Sequence, residues 1–547
     1  MEDTTLLTFP AFFASTLRLH GNRDALAIVG KKPLTYRETN ERILAVIAFL
    51  EKLGIEPGDK VAILCTNQPN WAIVYFAITF MGAIAVPLLP EFLPVEITSL
   101  LEHSETKVIF ASEGLLSKLV GISTDFLLEV VRIEDFSVVR SFEYWPAFDP
   151  EARPVTVKQV EEDDVATIIY TSGTTGNPKG VMLTHRNICY TAVKGFEIQE
   201  ILETDRFLSI LPLSHTYENT LGLILPMYRG ACVYYLGKPP TPALLLPALL
   251  EVRPTTMLTV PLIIEKIFRS KILPAFSDNK VISFLYKAPP VRKFLHRVAG
   301  KKLMKTFGGE LTFFGVGGAK LNKTVERFLI ESHFPYAVGY GLTECAPLLA
   351  GFNPQHPVLQ STGPSCLGVE LKIVNADPHT GEGEIWAKGA NVMKGYYKEP
   401  LLTADLITPD GWLKTGDLGA FDKNLNLFIR GRVKSMIVRS NGENVYPEDI
   451  ESVINNFRYV VESLVIEKKG KLIALVHFNQ EEIEQRYLHL KNEVTNYVEQ
   501  KTEELRAELQ EYVNARVNKF SQVQLVIAQP DPFQKTATQK IKRFMYT

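Results

Sequence analysis

Cysteine is scarce and scattered. The 547 residues hold five (Cys65, Cys189, Cys232, Cys345, Cys366), an odd number with no CxxC pair. This argues against a disulfide scaffold or zinc ribbon and fits a reducing, cytoplasmic compartment. An excess of one charge is missing too: 59 Lys and Arg face 61 Asp and Glu, a net of −2. The chain therefore has no global basic field, and no nucleic-acid partner is expected. The opening MEDTTLLTFPAFF is acidic and lacks a basic n-region, so a signal peptide is not expected. Long hydrophobic runs are limited to one, Trp71–Pro90, which is 20 residues without a charge. It meets the length of a membrane-spanning helix. Gly82 and Pro87 interrupt it, however, and GAIAVPLLP reads as a buried strand after a helix, so the run is assigned to the core. No internal repeat or low-complexity tract is present.

What is present is ordinary globular composition, 46% hydrophobic and 22% charged, in a chain long enough for about two to five folding units. Short apolar runs alternate with helical patterns. KVAILC (60–65), TKVIFA (106–111), ATIIYT (166–171), ACVYYL (231–236) and TMLTV (256–260) read as buried strands, and 36–53 and 321–332 as amphipathic helices. Such alternation argues α/β units. The pattern changes near Arg430, and a boundary close to Arg432–Lys434 leaves a C-terminal unit of about 110 residues. Within that unit Tyr487, Leu490, Val494, Val498, Leu505, Leu509, Tyr512 and Val513 recur at helical spacing among charges of mixed sign. One long or broken amphipathic helix is expected there.

The strongest local signal is Thr171-Ser172-Gly173-Thr174-Thr175-Gly176-Asn177-Pro178-Lys179-Gly180, directly after an expected buried strand. Its glycines allow a tight backbone whose N–H groups converge on an anion. Four hydroxyls can bond phosphate oxygens, and Lys179 adds a positive charge. It is not a Walker loop, because Pro178 precedes the lysine and neither Ser nor Thr follows it.

This segment resembles the phosphate loop of the adenylate-forming superfamily, which contains acyl-CoA synthetases, luciferases and the adenylation domains of peptide synthetases. Other motifs follow in the family's order over about residues 25–545. LPLSHTYEN, with Leu211, Pro212, His215 and Glu218, resembles the segment lining the acyl site, in the form most like long-chain fatty acyl members. Gly317, Gly318 and Ala319 in FFGVGGAKL resemble the adenine-binding turn. In VGYGLTECAP the resemblance puts Gly339 at the acyl site, Tyr340 and Gly341 on adenine, Thr343 on the α-phosphate, and Glu344 with Thr171 at Mg²⁺, an ion that takes carboxylates together with substrate phosphates. Asp417, read on a glycine-flanked turn in GWLKTGDLGAF, resembles the aspartate that accepts from both ribose hydroxyls. Arg432 resembles the ribose-contacting arginine, Lys434 the hinge, and Gly442 a residue of the pantetheine tunnel. PFQKTATQKIKRF places Lys540 on the catalytic lysine, with Gln539 where the family usually has glycine.

The resemblance implies an α/β fold, α+β at the C-terminus. A large N-terminal domain of layered β-sheets and helices (1–432) would hold ATP and the acyl group, and a small mobile C-terminal domain (433–547) would carry Lys540. It implies catalysis by Lys540, Glu344, Thr171 and Lys179, with Ser172, Gly173, Thr174, Thr175 and Gly176 on the nucleotide. ATP, Mg²⁺ and CoA are the expected cofactors and cosubstrates. A medium- or long-chain fatty acid would be activated as acyl-AMP and passed to CoA; an acyl carrier protein is the alternative acceptor. Amino acids are disfavoured, since LPLSHTYEN has no FDxS-like aspartate. A dead scaffold is opposed by the intact Thr171, Glu344, Asp417, Arg432 and Lys540, and a transporter rests only on Trp71–Pro90. A monomer or homodimer with at most peripheral membrane contact is expected, and no basic amphipathic helix is apparent.

Overall fold

The computed structural model describes residues 6–141, 148–154, 159–172, 178–277, 280–438, 444–487, 496–536 and 540–546. The apolar runs form two eight-stranded sheets. In one, Lys60–Leu64, Ile84–Leu88, Thr106–Ala111 and Glu129–Arg132 run parallel, and Ile84–Leu88 also neighbours Val165–Ser172. In the other, Asp24–Ile28, Cys232–Tyr235, Arg206–Ser209, Thr256–Thr259, Phe313–Val316 and Tyr336–Tyr340 are successive parallel neighbours. The five strands expected from sequence match to within one residue at each end.

Alternate side chains of a strand point to opposite faces. Val61 and Ile63 accordingly join one core cluster while Ala62 and Leu64 join another. Phe207 and Leu208 divide the same way in the second sheet. A strand with apolar neighbours on both faces reads as a continuous apolar run rather than an alternating one, which is why these segments are legible.

The helix Tyr36–Lys52 starts at a reciprocal cap. Thr35 Oγ1 accepts from the Glu38 amide at 3.2 Å, and the Thr35 amide donates to Glu38 Oε2 at 2.7 Å. The run Trp71–Pro90 resolves into a 12-residue helix, Pro69–Phe80, and the strand Ile84–Leu88. At about 1.5 Å per residue the helix is about 18 Å long, well short of a bilayer core of about 30 Å. Every residue from Trp71 to Thr79 is buried, and Gly82, at φ +77°, makes the left-handed turn into the strand. Among the described residues no helix is long and apolar enough to cross a membrane.

A four-stranded antiparallel sheet follows (Glu370–Val374, Gly383–Lys388, Leu413–Phe421, Leu427–Arg432). Beyond it a three-stranded sheet joins Val460–Lys468, Lys471–Phe478 and Leu525–Ala528. Its core cluster draws only on residues from 437 onward. The expected helical stretch appears as Gln480–Tyr487 and Asn496–Asn514, with Leu505, Leu509 and Val513 buried in that core. Leu490 and Val494 lie outside the described residues. Polar contacts tie this segment to the rest of the chain: Lys320 to Asp449 at 2.6 Å, and the Tyr446 hydroxyl to Glu382 at 2.8 Å.

Candidate active site

Strands Val165–Ser172 and Pro178–Thr184 pair antiparallel, with Thr171 opposite Lys179 and Ser172 opposite Pro178. The glycine- and threonine-rich segment therefore joins two paired strands of a buried sheet. Gly173, Thr174, Thr175 and Gly176, and the side chain of Ser172, lie outside the described residues. Lys179 carries its ammonium 5.3 Å from the centre of the Tyr396 ring, within cation–π range. The Tyr396 hydroxyl donates to Glu344 Oε1 at 2.7 Å. The Tyr396 side chain thus touches the lysine through its ring face and the carboxylate through its hydroxyl. Glu344 sits on the 3₁₀ turn Thr343–Cys345, which Asn391 fixes by donating to the carbonyls of Cys345 (3.2 Å) and Leu348 (2.9 Å). Glu344 Oε2 has no hydrogen-bond donor among the described residues.

Asp417 lies within the strand Leu413–Phe421, directly across from Arg432 on Leu427–Arg432. The expectation of a turn is corrected. Gly416 and Gly419 give the segment a turn-like composition, but the ladder slips between Leu418 and Gly419. A Cβ at Gly419 would come within 2.8 Å of both the Ile385 side chain and the Phe428 carbonyl, so glycine serves close strand approach. Arg432 Nε lies 3.1 Å from Asp417 Oδ1, and the Tyr340 hydroxyl donates to Oδ2 at 2.9 Å. Asp417 is 6% exposed. Burial pushes its carboxyl pKa up, and the Arg432 charge opposes the shift. Each oxygen keeps a second lone pair, so a diol could still be accepted.

Lys540 belongs to a short terminal loop pinned at several points. The Thr536 amide donates to the Lys540 carbonyl at 2.8 Å, the Lys540 amide donates to Thr536 Oγ1 at 3.2 Å, and Lys535 and Arg543 pair with Glu462 and Glu451. Much of Lys540 is exposed, but its charged end reaches the cleft. Its pKa is lowered by loss of water first and by Arg432 second, with Asp417 and Glu344 pulling the other way. His215 feels the same ammonium: burial and the Lys540 charge push it down to about 4, so it is neutral at pH 7. The lysine, the strand aspartate and the turn glutamate, from three distant parts of the chain, thus act on one another electrostatically.

The remaining expected residues fall around this cluster. Thr216 Oγ1 donates to Thr343 Oγ1 at 3.2 Å. Gly317 follows the strand Phe313–Val316 and is buried, whereas Gly318 (φ +84°) and Ala319 are exposed. A Cβ at Gly341 would fall 1.5 Å from the Pro347 carbonyl oxygen, so no other residue fits. Lys434 lies in the exposed turn after Arg432, where the Ser435 and Met436 amides donate to the Arg432 carbonyl at 3.2 and 3.0 Å. Gly442 and Gln539 lie outside the described residues.

Beside the cluster is an apolar cavity of about 530 Å³ of empty space, open solvent included. Phe207, Tyr217, Leu221, Leu258, Val338 and Phe352 line it, and Gly195, Gly315, Gly339 and Gly351 widen it. Gly339 adjoins Tyr340 in sequence, so one strand end touches both cavity and carboxylate cluster. One wall is a π-helical turn, Glu218–Ile224. Glu218 opens this turn. It is buried in the core behind the cavity, pressed against Gly222, and burial pushes its carboxyl up to about 8 with only the Ser209 hydroxyl opposing. Tyr396 and Tyr217 were not singled out from sequence. Their only signal is an aromatic ring inside segments already marked, KGYYKEP and LPLSHTYEN.

Comparison with known proteins gives a concordant result. The sequence model described as "AMP-binding enzyme" matches residues 13–397. Long chain acyl-CoA synthetase 6, peroxisomal, of Arabidopsis thaliana is 30% identical over 466 residues, covering 78% of this chain and 66% of that protein. 4-Coumarate–CoA ligase 1 of the same plant is 28% identical over 461 residues, covering 80% of this chain and 76% of its own. Among solved structures, O-succinylbenzoate coenzyme A synthetase from Bacillus subtilis, in complex with ATP and magnesium ion, shares the fold. Its TM-score is 0.75 at 23% identity, over 97% of this chain and 98% of that one. With the family match over most of its length and an α/β architecture of large sheets and helices, the chain belongs to the AMP-binding enzymes of the adenylate-forming superfamily.

Proposed function

We propose that this chain activates a medium- or long-chain fatty acid with ATP as an acyl-adenylate and transfers the acyl group to the thiol of CoA. The observation that carries the reading is the apolar cavity beside the Lys540–Asp417–Glu344 cluster. Its lining is apolar, so an alkyl chain suits it, whereas a charged acyl group such as malonyl would find few polar partners in it.

In the first step a carboxylate oxygen attacks the α-phosphorus, the bond to the bridging oxygen breaks, and pyrophosphate leaves. Two anions must meet, so the catalytic requirement is charge neutralisation and alignment. Lys540 reaches the cleft from the C-terminal loop and is assigned to both the carboxylate and the α-phosphate. Asp417 and Arg432 are assigned to the ribose, the Tyr340 ring to adenine, and Lys179 with Thr171 to the phosphates. His215, neutral at pH 7, adds no charge beside the acyl carboxylate. Among the described residues no group of three or more His, Cys, Asp or Glu could cage a metal alone. Mg²⁺, which takes one or two carboxylates plus substrate phosphates, suits Glu344 Oε2 together with Thr171. Bound there, the ion would offset phosphate charge.

In the second step the thiol attacks the acyl carbonyl, the bond to AMP breaks, and the thiol proton goes to solvent. We assign residues 433–547 to a body that turns about Lys434 between the two steps, withdrawing Lys540 and bringing Gly442 to the thiol path. Lys434→Pro would then spare adenylation and block thioester formation, because proline fixes the torsion that must change. The reading is tested by ATP-dependent AMP release with straight-chain acids from acetate to oleate, with and without CoA. Turnover that needs CoA and rises with chain length supports it. Adenylate that accumulates because CoA cannot discharge it points to a carrier-protein thiol instead, and turnover best with acetate or an aromatic acid overturns the chain-length assignment.

A further inference from the structure

Charge that balances over the whole chain does not balance locally. Residues 266–305 hold eleven Lys or Arg against one Asp, a net of +10 within a chain whose total is −2. Most of that charge lies on the 18-residue helix Pro289–Thr306 and the segment before it. Phe294, Val298, Lys301 and Lys305 follow one another at i, i+4, i+7 and i+11, so they form one stripe along the helix. Phe294 is 65% exposed and Val298 53%, and Arg297 and Lys302 flank them in solvent. Just upstream, Phe284 is 72% exposed and Leu285 45%, with Lys287 and Lys293 exposed nearby.

The opposite face is clamped. His296, Gly300 and Leu303 are buried, and a Cβ at Gly300 would lie 2.5 Å from that of Ser332, so the helix packs tightly on Lys323–Glu331. Arg292 pairs with Glu331 at 2.8 Å. The Tyr286 hydroxyl lies 2.7 Å from His296 Nε2, which holds the upstream segment against the helix. The exposed face is therefore presented by a rigid support. That support packs through Leu303 and Phe307 into the same core cluster as Val338 and Phe352, which line the apolar cavity.

We propose that this face docks on an anionic lipid bilayer. Phe284, Leu285, Phe294 and Val298 enter the boundary between headgroups and acyl chains, and the surrounding lysines and Arg297 meet lipid phosphates. A duplex nucleic acid would engage the lysines but leave four large apolar side chains in water; an anionic bilayer uses both. The inference is independent of which acid the enzyme activates.

The test is co-sedimentation of the full chain, without substrates, with phosphatidylcholine vesicles and with vesicles also containing phosphatidylglycerol, over a range of salt. Binding to the anionic vesicles that falls with salt is expected, with little to phosphatidylcholine alone. The variant Lys301→Gln/Lys302→Gln/Lys305→Gln should bind about 100-fold more weakly, since each lysine near an anionic surface contributes about fivefold. Phe284→Ser/Phe294→Ser should lose about tenfold or more while keeping the salt dependence. Unchanged thermal midpoints would show both variants folded. Wild-type protein that stays in the supernatant, either variant binding as tightly as wild type, or capture by duplex DNA without vesicle binding would overturn the proposal.

Discussion

Glu218→Gln should make the protein more stable, and increasingly so as pH rises. The carboxyl is fully buried, pressed on Gly222, and pushed up to about 8 from an ordinary value of 4.5. In the unfolded chain it loses its proton near 4.5; in the folded chain it keeps it until about 8. Between those values the folded state binds more protons than the unfolded one, so stability falls with rising pH, by up to about 1.4 kcal/mol per unit. Over the 3.5-unit gap the loss is at most about 5 kcal/mol, reached above pH 8. Glutamine keeps the shape and a partner for Ser209 but carries no ionisable proton. Denaturant midpoints of both proteins at pH 4.5, 6, 7 and 8.5 should therefore coincide at the acid end and diverge steadily. A difference that does not change with pH, or a glutamine variant weaker than wild type at pH 8.5, would refute the argument from burial.

Three further outcomes are expected at the site. Tyr396→Phe keeps the ring under Lys179 but removes the donor to Glu344, and should slow acid-dependent pyrophosphate release about 10- to 100-fold, the range for one hydrogen bond to a charged group. Tyr396→Leu loses the cation–π contact as well and should be a few-fold worse; equal rates for the two would leave that contact without a role. Asp417→Asn should raise the KM for ATP about 10-fold or more and abolish any preference for ATP over 2′-deoxy-ATP, so a variant that still discriminates would place the ribose elsewhere. Lys540→Ala should slow ATP–pyrophosphate exchange by about two to three orders of magnitude yet leave transfer from pre-formed acyl-adenylate to CoA nearly intact, and loss of both halves together would make its role structural.

Much of this was legible because burial on both faces leaves a plain signal. Runs such as Thr106–Ala111 are apolar at nearly every position and bounded by helical patterns, so the strands follow from the sequence pattern, whereas their non-sequential order in the sheets does not. Thr171 and Lys179 stand eight apart in sequence and were already marked as one loop; the structure adds that they pair across a hairpin. Asp417 reads as a turn residue in sequence because glycine marks both turns and places where strands crowd together, and sequence does not distinguish the two. The two apolar stretches that line most of the cavity, 207–261 and 338–352, are legible in sequence; its depth is not, because its width depends on glycines that carry no side-chain signal. The basic helix was overlooked because its lysines are interleaved with the buried His296 and Leu303; the stripe emerges only once one face is known to be packed.

The strand Ile84–Leu88 has a consequence for how the molecule assembles. Ala85 pairs with Thr167, and the Thr167 hydroxyl donates to the Ala85 carbonyl at 2.9 Å, a contact that closes 82 residues of chain. Parallel pairing over such a separation is slow, because loop closure must come before any gain from the contact. Until it forms, the uncharged stretch from Trp71 has no cover on that side, and the strand bearing Thr171 has no support. A chain interrupted before residue 165 would leave one edge of Ile84–Leu88 unpaired, its other edge being held by Lys60–Leu64, and an open apolar strand edge favours aggregation. Yield of folded protein should accordingly depend more on the passage between residues 60 and 184 than on the C-terminal segment, whose core is built from its own residues.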